Sequence, residues 1–160
     1  AGPGYAEIRL VSTGGQGVVY SAQRLLDGQR VALKLFARKG FRWNLGEDRL
    51  SHEADTLARL EHPSIVRFFD LLEDEQGRAV IVMEWMDGGP LSAQLPFGPR
   101  SPRFPTLSSW VACVLQVADA VEAAHQARVF HRDLKPSNVL LGHGDRPKVA
   151  DFGIGLGPVD

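Results

Sequence analysis

The sequence predicts an α+β fold in which a five-stranded antiparallel sheet with one helix is followed by a mainly helical part that contains a β-hairpin. Three observations support this prediction. Short apolar runs separated by turn residues occupy residues 5–36 and 65–83, apolar residues recur at helical spacing over 107–124, and two short apolar runs flank the polar turn 142–147. We therefore expect a first part over residues 5–86 and a second over residues 87–160.

Composition limits the class of protein. The chain has 160 residues, a net charge of −1 and 44% hydrophobic residues, so it has the composition of a globular protein without an electrostatic preference for nucleic acid or an anionic membrane. We expect no membrane segment, because we find no long apolar run. The one cysteine, Cys113, cannot form an internal disulfide, which fits a reducing, cytoplasmic location. It lies within an apolar helical pattern and is expected to be a small core residue.

The first two strands, within residues 5–24, are interrupted by Ser12-Thr13-Gly14-Gly15-Gln16-Gly17. Glycine lets backbone N–H groups approach an anion closely, although hairpins also use glycine for conformational reasons alone. A third strand over residues 30–36 carries Lys34 inside an apolar run. On its own, such a lysine is equally well explained as a solvent-facing residue of an edge strand.

A helix is predicted over residues 47–60, because Leu50, Ala54, Leu57 and Leu60 recur at helical spacing. Glu53 lies beside this stripe, where a carboxylate needs a cationic partner, and Lys34 is the available cation. The alternative is a solvated glutamate. Two more strands, predicted over residues 65–69 and 79–83, complete the sheet.

The second part begins with a glycine-containing linker, a short helix over residues 91–95 and a proline-rich connector over 96–105. A long helix follows over residues 107–126, capped by Thr106 or Ser108. Its expected buried face consists of Leu107, Trp110, Val114, Val117, Val121 and Ala124.

The strongest chemical signal is the pair of segments His131-Arg132-Asp133-Leu134-Lys135-Pro136-Ser137-Asn138 and Lys148-Val149-Ala150-Asp151-Phe152-Gly153. The hairpin between them is expected to bring Asn138 and Asp151 together as hard oxygen ligands for Mg²⁺. Asp133 is placed to accept a proton, and Lys135 to neutralise charge on a transferred group. Such groups suit phosphoryl transfer, in which catalysis consists mainly of positioning and electrostatics.

These segments resemble the H-R-D-L-x-x-x-N and D-F-G motifs of eukaryotic-type (Hanks-type) serine/threonine protein kinases, and the glycine-rich turn is similar to that of bacterial members. Ser12 stands where the family has its first glycine, and Val31-Ala32-Leu33-Lys34 resembles V-A-I-K. The resemblance implies a protein-kinase-like fold, with the N-lobe over 5–86 and the hinge, catalytic loop and start of the C-lobe over 87–160. It also implies that the chain is truncated after D-F-G.

The resemblance implies ATP and Mg²⁺ as cofactors. The catalytic residues would be Asp133 and Lys135 with the ion pair Lys34–Glu53, the metal ligands would be Asn138 and Asp151, and His131 would be structural. Nucleotide-binding residues would be Ser12, Gly14, Gly15, Gly17, Val19, Ala32, Lys34, Met83, Glu84, Met86 and Leu140.

The expected activity is ATP-dependent phosphoryl transfer to serine or threonine of a protein substrate, since Lys135 follows Asp133 by two positions as in Ser/Thr kinases. Two alternatives are a pseudokinase that binds nucleotide without transfer and a small-molecule phosphotransferase. The presence of all the charged site residues disfavours the first, and the ordered H-R-D-L-K-P-S-N loop disfavours the second. Because the later helices of the domain are missing, we expect the 160-residue chain alone to be inactive.

Overall fold

The computed structural model describes residues 4–14, 17–36, 58–94 and 103–152. The chain divides into two compact units, one of Ala1–Ala54 with Arg67–Trp85 and the other of Asp55–Val66 with Met86–Asp160. Each unit has a hydrophobic core of its own.

The first unit is a five-stranded antiparallel sheet in the spatial order β1-β2-β3-β5-β4, as the sequence predicts. The strands are β1 (Tyr5–Gly14), β2 (Gly17–Arg24), β3 (Arg30–Leu35), β4 (Phe68–Glu73) and β5 (Ala79–Glu84). Four residues of the central strand β3, from Val31 to Lys34, are buried, and β3 lies between β2 and β5 in the sheet. The core of the first unit consists of Ala22, Val31, Leu33 and Val82, with Tyr5, Tyr20, Phe69, Leu72 and Val80 packed against them.

The strand predicted over residues 65–69 starts later, at Phe68, and this part of the prediction is wrong. Ile65 instead forms an isolated parallel bridge with Val149, in the second unit. Two backbone hydrogen bonds hold this segment, from Val66 N–H to Val149 O (2.9 Å) and from Val149 N–H to Ser64 O (2.8 Å). The helix predicted over 47–60 lies outside the described residues except at its end, where residues 58 and 59 are helical.

The second unit contains the helix α1 (Leu107–Gln126) and the hairpin of β6 (Val139–Leu141) and β7 (Pro147–Val149). Three short segments, Leu91–Gln94, Pro136–Asn138 and His143–Asp145, are 3₁₀ helices. The core packs the helix and the hairpin together through Leu91, Phe104, Trp110, Cys113, Val139 and Leu141.

Helix α1 begins with a capping box, which selects Thr106 from the two predicted caps. The Thr106 hydroxyl accepts a hydrogen bond from Ser109 N–H, and the Ser109 hydroxyl accepts one from Thr106 N–H, each at 3.2 Å. These bonds satisfy two backbone donors that a helix start otherwise leaves unpaired.

The buried face of α1 agrees with the predicted one at Trp110, Val117, Val121 and Ala124, which are buried or partly buried, but not at Leu107 and Val114. Trp110, Cys113, Ala120 and Ala124 are buried, whereas Leu107 and Val114 are 80% and 60% exposed. The N-terminal half of α1 therefore has two apolar sides, and the side named here the second apolar face, with Leu107, Val111, Val114, Leu115 and Ala118, is exposed among the described residues.

By length and mean hydropathy (1.3), α1 is the one helix of the described residues that meets the criterion for crossing a bilayer. A core helix of a soluble protein passes the same test, so this observation is weak support for a membrane span.

Cys113 is 1% exposed, as expected for a small core residue. Burial raises the pKa of its thiol above the ordinary value, because the charged thiolate is poorly solvated there.

Candidate active site

The glycine-rich turn joins β1 to β2, with Gly14 opposite Gly17 and Ser12 opposite Val19. Gly17 adopts φ 139°, and a Cβ atom there would collide with the carbonyl oxygen of Leu35 in the neighbouring strand β3. This position therefore requires glycine both for its backbone conformation and for packing. Gly15 lies outside the described residues.

Lys34 lies in the middle of β3, opposite Val19 of β2 and Ile81 of β5, and is only 6% exposed. It is therefore not the solvent-facing lysine of an edge strand, which was the alternative left open by the sequence. A buried ammonium is costly unless an anionic partner compensates for its desolvation. The sequence assigns that role to Glu53, which lies outside the described residues.

The end of β5 carries the remaining nucleotide-site candidates of the first unit. Ala32 of β3 is opposite Met83 of β5, and both are buried. Glu84 is committed to the backbone of Arg67: its N–H donates to Arg67 O (2.8 Å), and its carboxylate accepts from Arg67 N–H (3.1 Å). A base that bonds to the Glu84 backbone would therefore donate a hydrogen bond to its carbonyl oxygen.

In the second unit, the loop over residues 131–138 brings Asp133, Lys135 and Asn138 together. Lys135 Nζ lies 2.6 Å from Asp133 Oδ2, and Asn138 Nδ2 donates to Asp133 O at 2.8 Å. The NH₂ group of Asn138 is occupied by this bond, which leaves its Oδ1 as the acceptor side of a side chain that is only 5% exposed. The loop thus holds a carboxylate, an ammonium and an amide oxygen in one cluster.

The β6–β7 hairpin places Asp151 near this loop, as predicted. Val139 pairs with Val149, and Ala150 N–H donates to Asn138 O at 2.8 Å, so Asn138 and Asp151 both flank the open end of the hairpin. Asp151 adopts φ 59°, in the left-handed region, which costs free energy for a residue other than glycine. Strain of this kind clusters at functional sites.

His131 links the catalytic loop to the Asp151 segment. Its ring is 4% exposed, its Nε2 lies 2.7 Å from Ala150 O, and its centroid is 5.0 Å from that of Phe152. A carbonyl oxygen only accepts, so Nε2 carries the proton and Nδ1 accepts from Asp133 N–H at 3.3 Å. His131 therefore positions Asp133 and does not itself face a substrate.

The site candidates fall into two groups, one in each unit. The first unit holds Ser12, Gly14, Gly17, Val19, Ala32, Lys34, Met83 and Glu84, and the second holds Met86, Asp133, Lys135, Asn138, Leu140 and Asp151. Sequence reasoning missed the pairing of Gly88 and Gly89 with β6, for which the only signal was the double glycine itself.

Asn138 and Asp151 suit magnesium. Both supply hard oxygen atoms, and Mg²⁺ is usually bound by one or two protein carboxylates while phosphate oxygens and waters complete its octahedron. Among the described residues, no cluster of three or more His, Cys, Asp or Glu side chains forms a self-sufficient metal site. The donor set therefore fits a metal that binds together with a nucleotide.

A five-stranded antiparallel sheet with a glycine-rich first turn, followed by a loop and hairpin that carry these charged groups, defines the class of protein kinase domains. The family model described as "Protein kinase domain" matches residues 5–156, and the chain belongs to this family.

Several curated relatives are similar over nearly the whole chain. Serine/threonine-protein kinase PknD of Mycobacterium tuberculosis (strain ATCC 25618 / H37Rv) is 38% identical over 151 residues, which cover 94% of this chain and 22% of PknD. PrkC of Bacillus subtilis (strain 168) is 33% identical over 94% of this chain and 22% of PrkC. CBL-interacting protein kinase 30 of Oryza sativa subsp. japonica is 35% identical over 91% of this chain and 30% of that protein.

The fold matches solved kinase domains. The crystal structure of the PknI kinase domain of M. tuberculosis superimposes with a TM-score of 0.76 at 30% identity, covering 98% of this chain and 61% of that one. The protein-kinase-like fold predicted from the sequence is thereby confirmed. The chain spans less than a third of the curated relatives and about three fifths of the solved domain.

Proposed function

We propose that the protein containing this chain transfers the γ-phosphoryl group of ATP to a serine or threonine hydroxyl of a protein substrate. The observation that carries the proposal is the cluster of Asp133, Lys135 and Asn138, closed by hydrogen bonds and joined through the hairpin to Asp151. Membership of the protein kinase family supports the same activity.

Each group of the cluster has a role that its chemistry fits. The Asp133 carboxylate accepts the proton of the attacking hydroxyl while the oxygen–phosphorus bond forms and ADP leaves. The Lys135 ammonium, 2.6 Å from that carboxylate, supplies a positive charge that would neutralise charge on the phosphoryl oxygens. Asn138 and Asp151 would hold Mg²⁺, which would neutralise charge on the phosphates. Lys34, in the first unit, binds the α- and β-phosphates.

The choice of serine or threonine rests on Lys135, two residues after Asp133. The retained charged groups support transfer over a nucleotide-binding pseudokinase. The ordered loop supports a protein substrate over a small molecule, as do the relatives named serine/threonine-protein kinases.

The test is Asp151→Asn in the natural full-length polypeptide that contains residues 1–160. ATP affinity is measured by calorimetric titration with and without Mg²⁺, and transfer by labelled phosphate followed by phosphoamino-acid analysis. We expect the variant to lose the Mg²⁺-dependent part of the affinity and all measurable transfer. If the ATP affinity changes neither with Mg²⁺ nor with the substitution, the metal assignment is wrong. If the product is mainly phosphotyrosine, the substrate class is wrong.

Asp145→Asn is a matched control. Asp145 lies in the turn of the same hairpin at φ 58°, close to the 59° of Asp151, and pairs with Arg103 at 2.9 Å. Asparagine tolerates the left-handed region as well as aspartate does, so backbone strain is equal in the two variants. We expect Asp145→Asn to keep both transfer and the Mg²⁺ dependence.

A further inference from the structure

The segment that follows β5 pairs with β6 on the edge opposite β7. Gly88 N–H donates to Leu141 O (2.8 Å), Leu141 N–H donates to Gly89 O (2.9 Å), and Pro90 forms an antiparallel bridge with Leu140. Residues 88–90 are thus hydrogen-bonded to β6, although the sequence gives them only as a linker. This pairing fixes both the register and the separation of the two segments.

Gly88 has no room for a side chain. A Cβ atom built there would lie 2.6 Å from Leu141 O and 2.8 Å from Leu141 Cβ, and would also meet the guanidinium of Arg103. Real Cβ atoms essentially never show contacts under 3.0 Å. The Arg103 side chain can move aside, but the Leu141 backbone cannot easily do so, because Leu141 is fully buried in the core of the second unit.

Gly89 differs from Gly88 in the space around its Cα atom. Gly89 has a positive φ of 71°, yet a Cβ atom there would meet nothing within 4 Å. Alanine at Gly89 would therefore strain the backbone without touching β6, whereas alanine at Gly88 would push two paired segments apart.

Two candidates for the contact with adenine depend on this pairing. Met86, 7% exposed, lies two residues before Gly88, and Leu140 is the bridge partner of Pro90. Met86 also reaches the end of β6, since a Cβ built at Gly142 would be 3.0 Å from Met86 Cε. The distance between residues 86–90 and β6 therefore sets the relative position of both.

We propose that Gly88 is a positioning residue for the nucleobase of ATP. Its missing side chain lets residues 88–90 pair closely with β6, and this holds the Met86 backbone and the Leu140 side chain in register for one adenine ring. The inference rests on the proposed function. Asp133, Lys135 and Asn138 are held by bonds within their own loop, so they keep their geometry when Gly88 is replaced.

The experiment is Gly88→Ala in the natural full-length polypeptide, assayed by steady-state kinetics with ATP and a protein substrate. We expect KM for ATP to rise about tenfold, with kcat and the KM for the protein substrate unchanged within about twofold, because only interactions with the base are weakened. The control is Gly144→Ala, in the turn of the hairpin, because Gly144 also has a positive φ (68°) and a Cβ atom there would meet nothing within 4 Å. We expect all three constants of this variant within about twofold of the wild type. An unchanged KM for ATP in Gly88→Ala, or a fall in kcat alone, overturns the proposal.

The double variant Gly88→Ala with Arg103→Ala shows whether the raised KM comes from the contact with Leu141 or from the contact with Arg103. We expect it to keep the raised KM, because the clash with Leu141 O remains; a restored KM would assign the effect to Arg103 and overturn the proposal. If thermal unfolding shows that Gly88→Ala does not fold, Gly142→Ala decides, because its Cβ presses on Met86 from the β6 side. A KM for ATP raised about threefold there supports the proposal, and an unchanged KM overturns it.

Failure of the proposed function is separate from failure of this inference. A wild-type polypeptide that transfers no phosphate from ATP refutes the proposed function. An active wild type whose KM for ATP does not respond to Gly88→Ala refutes only the role of Gly88.

Discussion

Asp133 is contacted by three other residues of the catalytic loop. Its carboxylate is 2.6 Å from Lys135 Nζ, its carbonyl accepts from Asn138, and its N–H lies 3.3 Å from His131 Nδ1. The backbone of Asp133 is thus held by His131 and Asn138, and its side chain pairs with Lys135, without a bound substrate. Preorganisation of this kind is what general base catalysis requires.

The first prediction concerns Asp133→Asn, which keeps the shape and removes the base. We expect kcat to fall by about 10²- to 10⁴-fold, the usual contribution of general acid–base catalysis. KM for ATP should stay within about twofold, because a loss confined to the chemical step lowers kcat without weakening substrate binding. Steady-state kinetics on the full-length polypeptide measures both, and a kcat within threefold of the wild type would contradict the role given to Asp133.

The second prediction concerns Asp27, in the turn between β2 and β3. The hydrogen bonds from the Arg24 guanidinium, followed by the bond from Gln29 N–H, lower the pKa of its carboxyl from 3.8 to about 2. A carboxyl with a lowered pKa stabilises the fold above its unfolded pKa, and this contribution is lost as the pH falls toward the folded pKa.

Urea unfolding of the 160-residue chain between pH 5 and pH 2 tests this prediction. The free energy of unfolding should fall less steeply with decreasing pH in Asp27→Asn than in the wild type, with the difference confined to the range below about pH 4. Equal slopes in the two proteins would contradict the assignment.

The sequence predicted contacts between residues that are close along the chain, but not contacts between distant segments. Asp133, Lys135 and Asn138 lie within six residues of each other, so their spacing alone indicates one loop. The contact of His62 Nε2 with Asp119 Oδ2 (3.1 Å) joins residues 57 positions apart, and Arg24 lies 4.5 Å from the Phe69 ring centroid. Such contacts depend on how distant segments pack, which residue spacing does not encode.

For helix α1, too, the sequence predicted the features that depend on local residues and not those that depend on packing. Its ends were predicted correctly, because the Thr106 cap is a local signal and the end of the apolar periodicity marks the last turn. Its buried face was predicted only in part. Trp110 and Ala124 are buried and Val117 packs against the core, but Leu107 and Val114 are exposed, because apolar residues lie on two sides of its first half. Which of two apolar sides faces a core is decided by the partner, here β6 and β7, and not by the helix sequence.

The third prediction tests the capping box. Thr106→Ala removes the hydroxyl that accepts from Ser109 N–H, and should lower the free energy of unfolding by about 0.5–2 kcal/mol, the usual cost of losing such a cap. Ser108→Ala is the control, because Ser108 lies in the first turn and is exposed, yet is not the capping residue. Urea unfolding of both variants gives the comparison, and equal losses in the two would show that the capping box adds no stability.

At the scale of the whole molecule, the second apolar face of α1 is a group of exposed apolar side chains within the part of the chain that the structure describes. Leu107, Val114 and Leu115 are 80%, 60% and 64% exposed, and Phe130 and Leu134 near the catalytic loop are 54% and 47% exposed. Apolar surface of this kind favours association with another surface. The order of the motifs along the chain predicted the family and the sheet, but an exposed face becomes visible only once the packing is known.

The fourth prediction follows for the 160-residue polypeptide produced alone. We expect it to self-associate through the second apolar face. We also expect negligible transfer to a protein, because the chain covers only 61% of the solved PknI kinase domain. Val114→Lys with Leu115→Lys should reduce association, measured by sedimentation velocity. Leu26→Lys is the control, since Leu26 is 89% exposed in the first unit and lies outside that face.

Two outcomes would contradict this prediction. One is a monodisperse monomer of the unaltered 160-residue chain. The other is transfer to a protein at a rate comparable to that of the full-length polypeptide.

The buried thiol of Cys113 provides a chemical probe for the opening of the core around α1. Only the thiolate reacts with alkylating or disulfide reagents, and Cys113 combines 1% exposure with a raised pKa, so labelling of the native state has to wait for an opening of the core around α1. Since residues 1–160 contain no second cysteine, the rate of modification at increasing reagent concentration would report how often that core opens. A cysteine introduced at an exposed position such as Leu26 would react first, which allows a dye to be attached at one site without first replacing Cys113.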